Sequence, residues 1–85
     1  MSDPKLAGWQ VVEGKVLRKE FRFPDFARAL AFVNRLGEMA EAEGHHPDVE
    51  LGWGRAAVSW TTHDAGGLTE KDRVCAAKTD EIAGG

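Results

Sequence analysis

An 85-residue chain has room for one domain, expected to span residues 1–85, and its formal net charge of −3 leaves no basic stripe to follow a phosphate backbone. Direct nucleic-acid binding is therefore not expected. No run approaches the roughly 18 continuous apolar residues of a membrane span, and Met1-Ser2-Asp3-Pro4-Lys5 lacks the apolar stretch of a secretory leader, so the expectation is a cytoplasmic protein with no membrane partner.

Along the chain, the apolar run Trp9 to Val12 closes at Gly14, and Lys15 to Phe23 alternates so that Leu17, Phe21 and Phe23 share a face; together they predict a β-hairpin. Pro24 and Asp25 open a helix in which Phe26, Leu30, Val33, Leu36 and Ala40 recur at helical spacing until Gly44 stops it. A second hairpin follows, with Val49, Leu51 and Trp53 alternating on one strand, a turn around Gly52-Trp53-Gly54, and Val58, Trp60 and Thr62 alternating on the next. The opposite parity of that strand, Ala57, Ser59, Thr61 and His63, is free to line an open surface. After the loop Ala65-Gly66-Gly67, Thr69 reads as an N-cap with Asp72 three residues on, and Val74, Ala77 and Ile82 supply the apolar stripe of a second helix. The order β-β-α-β-β-α predicts an α+β domain, a four-stranded antiparallel sheet with its helices packed on one face. So small a domain has a thin core, which favours association with further copies of itself.

The three histidines, His45, His46 and His63, all fall in or beside the second hairpin. With its turn centred near Gly54, partners have positions summing to about 108, which sets His45 opposite His63 at the open end. Directly opposed residues have Cβ atoms about 4.5–5.5 Å apart, close enough for two imidazoles to act on one small substrate. Pro47 biases His46 toward extended backbone and fixes how the pair leaves the helix. Two carboxylates approach the same place, Glu41 in the last turn of the first helix and Asp72 in the first turn of the second. Either could hold an imidazole in one tautomer, as acid–base work near neutral pH requires. By spacing alone, Asp72 also reads as a capping acid and Glu41 as one of the solvated acids Glu38, Glu41 and Glu43. A metal site is not expected, because consecutive residues on extended backbone point to opposite faces and His45 and His46 would not ligate one zinc ion. Cys75, the single cysteine, reads as small apolar filler.

The segment Glu41-Ala42-Glu43-Gly44-His45-His46-Pro47, followed by Trp53, His63 and Asp72, resembles the signature of pterin-4a-carbinolamine dehydratases, and the likeness continues through Thr61-Thr62-His63-Asp64 and Gly67-Leu68-Thr69. The resemblance implies dehydration of 4a-hydroxytetrahydropterin to quinonoid dihydropterin, in tetrahydropterin recycling, with no cofactor and no metal. It implies that His45 and His63 form the acid–base pair and that His46 holds and polarises the pterin. Glu41 and Asp72 then support the histidines, while Pro47, Thr62 and Asp64 fall where contacts to the pterin are expected. The partners implied are the pterin and further copies of the chain, as a homodimer or homotetramer. Trp60 departs from the pattern, standing where a smaller aliphatic residue is common. Members of the family also act without catalysis, as assembly factors for a carbon-fixing enzyme or as dimerisation partners of a transcription factor, so an assembly or protein-binding role is the alternative. Retention of His45, His46, His63 and Asp72 favours the enzyme.

Overall fold

Alternating apolar residues and two tight turns lay down four strands, and two capped segments form the helices that cover them. A computed structural model describes residues 8–62 and 66–84. The elements are β1 (Gln10–Val12), β2 (Val16–Arg22), α1 (Phe26–Glu43), β3 (Asp48–Gly52), β4 (Arg55–Trp60) and α2 (Glu70–Gly84). The sheet is antiparallel throughout, in the order β1-β2-β4-β3. This is the expected β-β-α-β-β-α arrangement. The inner strand β4 carries Ala56, Val58 and Trp60, all fully buried, while Leu17 and Phe21 of β2 sit on the same face.

The second hairpin has a register one residue from the expected one. Asp48 faces Ser59 and Gly52 faces Arg55, so Trp53 and Gly54 alone make the turn. The physical reason is face matching: this pairing sets Val49 against Val58 and Leu51 against Ala56, whereas the expected one sets Val49 against a residue of the opposite face. Gly54 is required at the turn, because its φ is +69° and an added Cβ would stand 3.0 Å from the Phe23 carbonyl oxygen. Trp53 does not continue the strand's apolar face and is 74% exposed at the turn.

Each helix buries a stripe that overlaps the expected one only in part, with Leu36 and Ala40 buried and Val33 and Ile82 packed against the core as expected. In α1 it is Ala29, Phe32, Leu36 and Ala40, with Phe26 and Leu30 exposed. The cause is Phe32, whose ring lies 5.0 Å from that of Phe21 and 5.2 Å from that of Phe23, with Ala29 one turn away allowing close approach to the sheet. In α2 the buried residues are Asp72, Cys75, Ala76 and Thr79, while Val74 is exposed. Trp60 is the largest fully buried side chain of the domain, and a helix packing over it presents small residues and a hydroxyl. Cys75 is indeed core filler, its thiol pushed up in pKa chiefly by burial, with the charges of Glu43 and Asp72 adding to the effect.

Candidate acid–base site

The site begins at the end of α1. Asp25 caps the start of that helix, accepting from the Arg28 N–H at 2.8 Å, and Gly44 ends it in the left-handed conformation. The Gly44 N–H donates to the Glu41 carbonyl at 3.2 Å and the His45 N–H to the Ala40 carbonyl at 3.1 Å, the two bonds of a Schellman cap. The chain is thereby turned toward β3 with His45 and His46 as its first residues, and their side chains diverge. The His45 side chain is 14% exposed and its ring stacks on Trp60, centroids 5.4 Å apart at 24°. The His46 side chain is 63% exposed and points toward α1.

His45 meets Asp72, whose side chain is wholly buried: Nε2 donates to Oδ1 at 2.6 Å. The other carboxylate oxygen, Oδ2, accepts from Thr62 Oγ1 at 2.6 Å, from the Thr69 N–H at 2.9 Å and, more distantly, from Thr69 Oγ1 at 3.4 Å. Asp72 therefore does both things its position allowed. Oδ2 takes the Thr69 N–H at the start of α2, the acid's half of a capping box, and Oδ1 is left for an imidazole. Burial pushes the Asp72 carboxyl up in pKa, but the hydrogen bonds from Thr62, His45 and the Thr69 N–H, with the charge of His45, more than offset it and hold the group below its ordinary value. Among the described residues no buried side-chain polar atom lacks a partner, so the site costs the fold no orphaned group.

His46 donates through Nε2 to Glu41 at 2.5 Å across an exposed surface. Beside this pair lies an open groove of about 490 Å³ with Val33, Leu36, Ala40, Pro47 and Val49 along it and Glu38, Glu41 and His46 at its edge. A groove of similar size, about 510 Å³, runs along the outer side of α2, but among the described residues no histidine lines it.

Of the residues expected at the site, His45, Asp72 and Thr62 form one bonded cluster; His46, Glu41 and Pro47 form a neighbouring one. Thr62 is engaged with Asp72. His63 and Asp64 lie outside the described residues. The shifted register alters the argument that opposed His45 and His63: continued past the last ladder pair, it sets Thr62 opposite His45, in keeping with their shared bond partner. Two members of the cluster went unrecognised in the sequence, Trp60 and Thr79. The parity of β4 marks Trp60 as inward-facing, and Thr79 stands seven residues after Asp72, two turns along the same helix face, which is the one signal that could have found it.

The sequence profile of the family described as "Pterin 4 alpha carbinolamine dehydratase" matches residues 2–82. A protein of Rubrobacter xylanophilus is 54% identical over 78 residues, covering 92% of this chain and 73% of its own. One from Chlorobium limicola is 58% identical over 78 residues, covering 88% and 69%. Both bear the name "Putative pterin-4-alpha-carbinolamine dehydratase". Among solved structures, a transcriptional coactivator/pterin dehydratase from Brucella melitensis superposes with a TM-score of 0.85 at 36% identity, over 91% of this chain and 83% of its own. A pterin dehydratase-like protein identified as a RuBisCO assembly factor in the alpha-carboxysome superposes with a TM-score of 0.79 at 25% identity, over 98% of both chains. With nearly the whole length matched, in a fold and a histidine motif already in view, this chain belongs to the pterin-4-alpha-carbinolamine dehydratase family.

Proposed function

We propose that the protein removes water from a 4a-hydroxytetrahydropterin by acid–base catalysis at His45, with His46 holding the substrate beside it. The observation that carries this reading is the His45–Asp72 pair, 2.6 Å long with the carboxylate fully buried and its other oxygen already bonded. A carboxylate accepting from Nε2–H keeps that proton in place and leaves Nδ1 as the nitrogen that exchanges protons with substrate. The reaction needs one proton delivered to the departing 4a-hydroxyl and one taken from a pterin ring nitrogen; water leaves and the C4a=N bond forms, with no electron gained or lost. One imidazole and a second acid–base group suffice. His63 is proposed as that second group on the family motif alone.

The exposed His46–Glu41 pair beside the apolar groove suits a different task, binding a flat heterocycle against Pro47 and Val49 and polarising its polar edge. The test is the decay of freshly generated 4a-hydroxytetrahydropterin followed by ultraviolet absorbance. Wild-type protein is expected to accelerate it, and His45→Ala to lower turnover by about 10²-fold in a folded protein. Equal turnover in the two proteins would remove His45 from the mechanism.

One observation favours a second reading. The RuBisCO assembly factor covers 98% of this chain and is itself covered to 98%, so the whole domain matches a protein named for assembly. A well-folded protein with no dehydratase activity would move the assignment to assembly or protein binding.

A further inference from the structure

The buried face of the site holds a device that neither the capping box nor the acid–base pair requires. The hydrogen bond from His45 Nε2 to Asp72 fixes one edge of the imidazole, and a single bond to one atom leaves the ring free to tilt and turn about it. The plane is set by something else: the His45 ring lies against the Trp60 indole, centroids 5.4 Å apart and planes within 24°. Trp60 is itself fully buried, and its Nε1–H donates to Thr79 Oγ1 at 3.1 Å. Thr79, also fully buried, spends its own hydrogen on the Cys75 carbonyl at 2.7 Å, so the oxygen it shows the indole is an acceptor in a fixed direction. Asp72 and Thr79 are two turns apart on one face of α2. The same helix therefore holds the carboxylate that grips the imidazole edge and the hydroxyl that grips the surface against its plane.

We infer that Trp60 is a positioning residue for His45, its indole locked by Thr79 so that the stacked imidazole keeps Nε2 on Asp72 and Nδ1 toward the substrate. An aliphatic side chain in that place would be smaller and would supply no flat wall. The inference rests on the reading of His45 as the proton-exchanging group only for its kinetic consequence; the geometry of the ring is testable without it.

The experiment compares wild type with Trp60→Leu, Trp60→Phe and Thr79→Val, using long-range proton–nitrogen correlations of the neutral His45 ring and steady-state dehydration kinetics. Wild type is expected to show one tautomer, protonated at Nε2. Trp60→Leu and Thr79→Val are expected to mix the two tautomers and lower kcat roughly tenfold with KM within about twofold, the mark of lost orientation and not of lost binding. Trp60→Phe, which keeps an aromatic face, is expected to restore most of both. Where Trp60→Leu does not fold, Thr79→Val carries the test, since it conserves volume and removes the indole's anchor together with one bond inside α2, that to the Cys75 carbonyl. Loss of stability with tautomer and kcat unchanged would make Trp60 a packing residue and overturn the inference. If wild type proves inactive on the pterin, the dehydratase reading fails, while a loosened His45 tautomer in the variants still upholds the positioning.

Discussion

His45 and His46 are adjacent, carry the same side chain and each meet a carboxylate, yet their surroundings are opposite. The His45–Asp72 pair is enclosed, its side chains 14% and 0% exposed, and Asp72 has further donors from Thr62 and Thr69. The His46–Glu41 pair is 63% and 78% exposed, and among the described residues His46 alone meets that carboxylate. An isolated exposed ion pair is worth about 0–1 kcal/mol, because water competes for both charges and the side chains lose freedom in meeting. A buried carboxylate with several donors is a fixed part of the fold. The contrast shows how one dipeptide meets two environments: the cap at Gly44 and the extended backbone before Pro47 send consecutive side chains to opposite sides, one into the fold and one to an exposed rim.

The largest expected effect comes from emptying the enclosed side. Asp72→Ala leaves the Thr62 hydroxyl and the Thr69 N–H without their acceptor and uncaps α2, so unfolding in urea should show a loss of about 3 kcal/mol. A loss below roughly 1 kcal/mol would mean that water replaces the carboxylate easily and that the enclosure is not as drawn. Asp72→Asn sharpens the same point through pH. The folded-state pKa of Asp72 is held below its unfolded value, so its ionised form contributes stability above about pH 4, a contribution lost as pH falls through the lower folded value. The variant should thus trail wild type by about 1 kcal/mol near neutral pH and draw level in strong acid. A gap that does not change with pH would show that charge is not what Asp72 adds.

This contrast was half visible in the sequence. The strands, both helices, Gly44 as a stop and Thr69–Asp72 as a cap follow from alternation, spacing and turn residues, which are local properties. The divergence of His45 and His46 follows from the same rule. Which histidine goes inside does not, because it depends on how α2 lies against the sheet. Apolar spacing alone put Val74, Ala77 and Ile82 on the packed side of α2; Ile82 does pack against the core, but the fully buried residues are Asp72, Cys75, Ala76 and Thr79, fitting small and polar residues to Trp60. The hairpin register slipped for a related reason: centring the turn on Gly54 ignored that Val49 and Val58 had to share a face. Hydrogen bonds such as Thr62 to Asp72 and Trp60 to Thr79 join residues 10 and 19 positions apart, beyond the reach of any periodic pattern.

Thr62 offers a finer cut through the enclosed side. Thr62→Val keeps the shape and removes one donor to Asp72 Oδ2, leaving the Thr69 N–H in place, so the expected cost is about 1 kcal/mol, measured by thermal or urea unfolding. The variant also separates two roles for this residue. If Thr62 acts through Asp72, KM for the pterin should stay within about twofold of wild type while kcat falls; a large rise in KM would assign it to substrate contact instead.

The smallest stability effect belongs to the open side. Glu41→Gln removes the charge opposite His46 with almost no change of shape, and because both side chains are mostly in water the fold should lose less than about 0.5 kcal/mol. Its kinetic effect should be the reverse of that of Thr62→Val. If, as proposed, Glu41 orients a rim histidine that binds rather than exchanges protons, KM should rise severalfold while kcat holds, and the rise should shrink as added salt screens the wild-type pair. Should Glu41→Gln instead lower kcat as far as His45→Ala does, the rim and the interior share one proton path, and the division between a fixed histidine and an adaptable one would have to be given up.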